Sequence, residues 1–166
     1  ELKESGVDVQ PFFPVFVPVL SRELNYRNHR KIIVIDGKVG FLGGLNVGDE
    51  YLGYDRRLGF WRDTHLKVEG ESVYSLQNIF LKDWKFVSDQ YISGEKYYPK
   101  MKYYGEQLIQ LTSSGPDADW KSIMQAYFTM ISNAEERIWI TTPYLVPGES
   151  INEALMTAAL SGLDVR

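Results

Sequence analysis

Two histidines occur in this chain of 166 residues. One of them, His29, stands two positions before Lys31 at the head of a β-branched run, Ile32-Ile33-Val34-Ile35. An imidazole is largely neutral near pH 7 and can attack phosphorus, provided that cations and amides hold the charge on the phosphoryl oxygens. Lys31 supplies a cation and Asn46 an amide. Gly44 offers a floor without a side chain, so a ligand can approach the backbone closely.

These groups need a frame, and the residues between them describe one. Asp36-Gly37 is a two-residue turn signal between the β-branched run and a second apolar stretch, Val39 to Leu42. A β-hairpin follows. With a primed turn, Ile35 faces Lys38, Lys31 faces Leu42 and His29 faces Gly44. Alternation along the strand puts His29 and Lys31 on one face, about 7 Å apart at the usual rise of ~3.3 Å per residue, so one phosphate fits between them. Each residue also has a plainer reading. Asp36 suits a turn without any chemistry, Gly43 and Gly44 suit a β-bulge, and His29 with Lys31 suits a solvated strand end.

The spacing His29-x-Lys31-x4-Asp36 followed by Gly43-Gly44-x-Asn46 resembles the HxKxxxxD and G-[GS]-x-N motifs of the phospholipase D superfamily. The flanking segments NYRNHRK, GGLNVGDEYLG, WRDTHLKVEG and TTPYLVP resemble the bacterial cardiolipin synthases within it. The resemblance implies catalytic roles for His29, Lys31, Asp36 and Asp63, and a phosphate-binding role for Lys31, Gly44 and Asn46. Asp63 matches the acid of a W-x-D-T segment that lies against the nucleophilic histidine, fixing its tautomer and stabilising the imidazolium. His65 matches no catalytic position and reads as structural.

The implied reaction joins two phosphatidylglycerol molecules into cardiolipin through a phosphohistidine, releasing glycerol. It calls for no metal and no cofactor. Enzymes of this superfamily are internal duplications in which each half supplies one motif. By that reading the second motif lies beyond Arg166, or a homodimer partner takes its place. A bacterial cytoplasmic membrane location follows, with the anchor outside this chain. A hydrolase acting on phospholipid and a catalytically silent half-domain are the other readings.

Composition narrows the field. The chain is 44% apolar, which suffices for a real core. Net charge is −4, and no lysine or arginine cluster longer than Arg56-Arg57 stands out, so duplex nucleic acid is an unsuitable partner. Without cysteine there are neither disulfides nor thiolate metal sites. No apolar run reaches membrane-spanning length and no signal peptide is visible. The first residue is not Met and residues 162–166 stop as a strand begins, which reads as a piece excised from a longer protein.

Taken in order, residues 1–10 read as a helix end capped by Gly6 and a strand from Val7. The same Ser-Gly-x-Asp-Val pattern returns at Ser161-Gly162-Leu163-Asp164-Val165, as in a duplicated chain. The proline and aromatic segment 11–20 suits either a lipid interface or an edge packed on its own core. A short helix or turn is predicted at 47–53, a strand from Trp61 to Val68, and a core helix from Glu71 to Val87. Residues 89–105 read as a linker, although their tyrosine and lysine mix also suits a lipid headgroup surface. A strand at 106–113, a helix at 118–136, a strand at 137–142 and a helix at 149–160 follow. The expected fold is α/β, with a mixed, largely parallel sheet and helices on both faces. Its domains are a first phospholipase D-like half at 1–88, the linker at 89–105 and the start of a second half at 106–166.

Overall fold

A computed structural model describes residues 1–12, 28–115 and 118–166. Most of the proline and aromatic segment, Asn25 to Arg27 of the motif region and Pro116-Asp117 lie outside the described residues. The chain forms two compact units, Glu1–Leu111 and Thr112–Arg166.

In the first unit the β-branched run becomes β1 (Ile32–Ile35) and the apolar stretch after the turn becomes β2 (Val39–Gly43). Asp36 and Gly37 both take positive φ, 53° and 64°, and the Lys38 N–H donates to the Ile35 carbonyl at 2.9 Å. That is the primed backbone the Asp-Gly pair predicts. The register, however, is one residue off the prediction: Ile35 pairs with Val39 and Ile32 with Leu42. Lys38 stays outside the ladder as an extra turn residue, in the manner of a bulge. Carried one and two steps further, this register sets Gly43, not Leu42, across from Lys31, and Gly44 across from Arg30 rather than His29.

Strand β3 (His65–Glu69) pairs antiparallel with the other edge of β2, giving the order β1-β2-β3. The expectation of a largely parallel sheet is therefore corrected. No helix intervenes between these strands, and a parallel pair needs a long crossover, usually helical. The mixed α/β character stands. Strand β3 begins at His65 and not at Trp61, because the Asp63 carboxylate takes the Thr64 N–H, at 2.7 Å, that a ladder would use.

Helix α1 (Ser72–Ser88) covers one face of this sheet. Val73 and Leu76 are fully buried, and each contributes about 1.5–3 kcal/mol by leaving water. Gly40 makes the close approach possible: a Cβ there would lie 2.4 Å from Leu76 Cδ1. Paired residues share a face, so Val34, Gly40 and Val68 look toward α1. The opposite face carries Ile33, Phe41 and Lys67 in one row and Ile35, Val39 and Glu69 in the next. Ile33 and Ile35 are 52% and 49% exposed there, so within this unit helix covers one face and not both.

Residues 89–105 pack onto the first unit. Tyr98 donates to Asn78 Oδ1 on α1, Tyr74 of α1 donates to the Pro99 carbonyl, and the Tyr74 and Tyr98 rings meet edge-on at 5.8 Å. The turn at Gly37 rests against the Tyr97 carbonyl, which closes that end of the hairpin. Residues 106–113 form no strand.

The second unit holds α2 (Ser122–Ser132), β4 (Arg137–Ile138), α3 (Glu149–Leu160) and β5 (Asp164–Val165). Strands β4 and β5 pair in parallel around α3, the predicted crossover. The two copies of the Ser-Gly pattern adopt one conformation. Gly6 has φ 82° and Gly162 φ 93°. In each, the glycine N–H reaches back three residues and the next N–H five: Gly6 to Lys3 and Val7 to Leu2, Gly162 to Ala159 and Leu163 to Ala158. This is the glycine cap that ends helices. After Gly162 the strand forms, whereas Val7 to Val9 are not in a ladder.

Candidate functional site

The segment leading into β1 is fixed on its even-numbered side. The Arg30 guanidinium forms an ion pair with the Asp83 carboxylate of α1, and Asn28 Nδ2 donates to the same carboxylate at 3.3 Å. The Arg30 N–H in turn donates to Asn28 Oδ1 at 2.9 Å. With Arg30 held against the helix, alternation sends His29 and Lys31 to the open side. His29 is exposed, and Lys31 Nζ folds back to donate to the His29 carbonyl at 3.0 Å. The two motif residues thus share one small region, with the imidazole accessible.

Across the sheet, Gly44 and Asp63 are in contact. The Gly44 N–H donates to the Thr64 carbonyl at 3.2 Å, and a Cβ on Gly44 would fall 2.2 Å from Asp63 Oδ1. The Gly44 backbone is not left-handed, so glycine is required here for room and not for conformation. The carboxylate is held from two sides: Oδ1 accepts the Thr64 N–H at 2.7 Å and Oδ2 accepts Trp61 Nε1 at 3.2 Å. The Trp61 ring meets the Tyr51 ring edge-on at 4.9 Å, and the Tyr51 hydroxyl pairs with Asn46 Nδ2. Gly44, Asp63, Trp61, Tyr51 and Asn46 therefore form one connected chain of contacts.

Three of the predicted site residues, Gly44, Asn46 and Asp63, are brought together in this way, and His29 and Lys31 make a second group. Among the described residues, the hydrogen-bond partners of the Asp63 carboxylate are Trp61 and Thr64, and His29 is not one of them. Asp36 stands elsewhere. It occupies the turn at the other end of β1, about 16 Å from Lys31 along the strand at ~3.3 Å per residue. There it borders a cavity of about 400 Å³ lined by Val34, Gln77, Phe80, Leu81 and Ile92 among others.

Sequence reasoning missed Tyr51, Trp61 and Asp83. Tyr51 sits on a 3-10 turn, Asp49–Leu52, whose sequence DEYL carries no motif. Trp61 was visible as part of W-x-D-T but not as the donor that orients the acid. Asp83 lies on α1 and reads as an ordinary solvent-facing carboxylate. Among the described residues no group of three or more His, Cys, Asp or Glu side chains is placed to hold a metal ion, and no helix is long and apolar enough to cross a membrane.

Comparison with known proteins finds relatives over the whole chain. Over all of its length this chain is 51% identical to cardiolipin synthase 2 of Bacillus anthracis, 53% to a cardiolipin synthase of Geobacillus thermodenitrificans and 52% to one of Halalkalibacterium halodurans. The matches cover 33%, 34% and 33% of those proteins, so the chain spans about a third of the length of the curated relatives it matches. No family model matches the chain, and no solved structure does. The chain is homologous throughout to bacterial cardiolipin synthases, a family of the phospholipase D superfamily.

Proposed function

We propose that this chain carries one half-site of a phosphatidyltransferase that makes cardiolipin from two phosphatidylglycerol molecules. The observation that carries the reading is the contact chain Gly44-Asp63-Trp61-Tyr51-Asn46, which gathers the glycine, the amide and the acid of the proposed site; the cation Lys31 and the exposed His29 form a second group ahead of β1. The relatives at 51% to 53% identity are cardiolipin synthases, which supports it.

In the first displacement an imidazole nitrogen of His29 attacks phosphorus. A P–N bond forms, the P–O bond to the terminal glycerol breaks, and the departing alkoxide takes a proton from an acid on the far side of phosphorus. In the second, the hydroxyl of another phosphatidylglycerol attacks and passes its proton to the far-side group, now a base, while the P–N bond breaks and the new P–O bond completes cardiolipin. Lys31 and the Asn46 amide hold the phosphoryl oxygens as charge builds on them. Asp63 steadies the imidazolium once substrate draws the two groups together. Asp36 shapes the hairpin and acts on the site through it.

The far-side acid belongs to a second phospholipase D-like half, or to the same residues of a second copy in a symmetric pair. Residues 1–88 form most of the first half, 89–105 the connection and 106–166 the opening of the second. The matching caps at Gly6 and Gly162 support a duplicated plan. The working site is a bacterial membrane surface, with the anchor supplied elsewhere.

Incubation with phosphatidylglycerol in mixed micelles, quenched in base and read by intact-protein mass, tests the reading. A phosphatidyl adduct that maps to His29 and disappears in His29→Ala is the expected result. Product analysis separates the alternatives: phosphatidic acid without cardiolipin would establish the hydrolase and overturn the transferase.

A further inference from the structure

His65 opens β3 directly across from Gly43. Its ring lies on that glycine: the position a Gly43 Cβ would take is 2.5 Å from His65 Nδ1. The β1–β2 ladder ends at Ile32–Leu42; carried one step further, its register sets Lys31 across Gly43 from His65, with no side chain between them. His65 was read from sequence as structural, and a structural histidine buries its polar atoms against partners. This one does not. Nδ1 is buried and has no hydrogen-bond partner among the described residues.

That burial favours one tautomer. A buried N–H without an acceptor is the costlier arrangement, so Nδ1 carries the lone pair and the proton sits on Nε2. The residue is half-buried and Nδ1 is its buried nitrogen, which leaves Nε2–H as a donor toward the open face. The charged groups nearby are few. Lys67 and Glu69, on the same face of β3, pair with each other at 3.1 Å. Asp63 is occupied by Trp61 and Thr64, His29 is exposed, and Lys31 Nζ contacts a carbonyl.

We propose that His65 is a further phosphate-contacting residue, its Nε2–H donating to an oxygen of the phosphodiester that Lys31 holds across Gly43. The proposal rests on the half-site reading above and names a contact which that reading lacks. It also accounts for Gly43: any larger residue would meet the His65 ring and the β3 backbone.

The two histidines of the chain give two imidazole spin systems, so 1H–15N spectra report on each separately. The 166-residue chain is titrated with a short-chain phosphatidylglycerol below its micelle threshold. The expected result is a free state with the Nε2–H tautomer at His65 and a saturable shift of its Nε2 resonance. His65→Leu should weaken probe binding about tenfold, the scale of one charge-assisted hydrogen bond, and His65→Gln, whose amide places a donor near Nε2, should restore most of it with a matching melting temperature. Unchanged binding by His65→Leu, or a free state protonated at Nδ1, would overturn the proposal while leaving His29 and Lys31 as the site. A wild-type chain that binds no probe would overturn both.

Discussion

The acid of the proposed site owes its place to an absent side chain. Asp63 lies where a Gly44 Cβ would be, and its two oxygens are already committed to Thr64 and Trp61. Gly44→Ala should therefore displace the carboxylate without straining the backbone. A misplacement of about an ångström near reacting atoms costs on the order of 10²-fold, so the His29 adduct should form that much more slowly while the melting temperature hardly moves. Gly44→Ser should lose less, because its hydroxyl can donate to the displaced carboxylate, and the ratio of the two adduct rates checks the argument. Asp36 makes the opposite case. Its φ of 53° is a conformation that asparagine shares and β-branched residues resist. Asp36→Asn should keep both the adduct rate, within about twofold, and the fold, whereas Asp36→Val should lower the melting temperature by several degrees. A large loss of rate in Asp36→Asn at unchanged stability would mean that the carboxylate itself takes part.

Among the elements, the contact of α1 with the sheet depends on Gly40 as much as on Leu76. A methyl group at 40 meets Leu76 Cδ1 at 2.4 Å in a buried layer, so Gly40→Ala should destabilise the first unit by about 1–3 kcal/mol, read by denaturant unfolding. A Leu76→Val change in the same chain should recover part of that loss. The elements were legible where local signals were strong. Apolar spacing placed α1 within a residue at each end, and α3 runs over the predicted Glu149–Leu160. The Asp-Gly turn was read correctly and the register was not, because nothing in the letters distinguishes a Lys38 inside the ladder from one outside it. A strand at 106–113 failed to form, since β-propensity expresses packing against neighbours and these residues have no ladder to join. The motif residues were legible as a set. The joining of Gly44, Asp63 and Asn46 through Tyr51 and Trp61 was not, because an edge-on ring contact between residues ten apart leaves no pattern in a sequence.

Across the whole molecule, many large apolar side chains face water. Val47, Phe60, Leu108, Val146 and Leu160 are each more than four-fifths exposed, in both units. Exposed apolar surface on this scale favours association. Sedimentation across a concentration series should show the chain self-associating, and a monomer throughout would count against the symmetric pairing offered above. The Ser-Gly-x-Asp-Val echo was legible over five residues, and both copies close their turns with the same pair of backbone hydrogen bonds. The alternation at the start of β1 reaches furthest. Arg30 pairs with α1 while His29 is exposed and Lys31 turns to its carbonyl, so adjacent letters do different physical work. In a library of variants, survival scored by folding should sort the positions by even number, and survival scored by lipid product should sort them by odd.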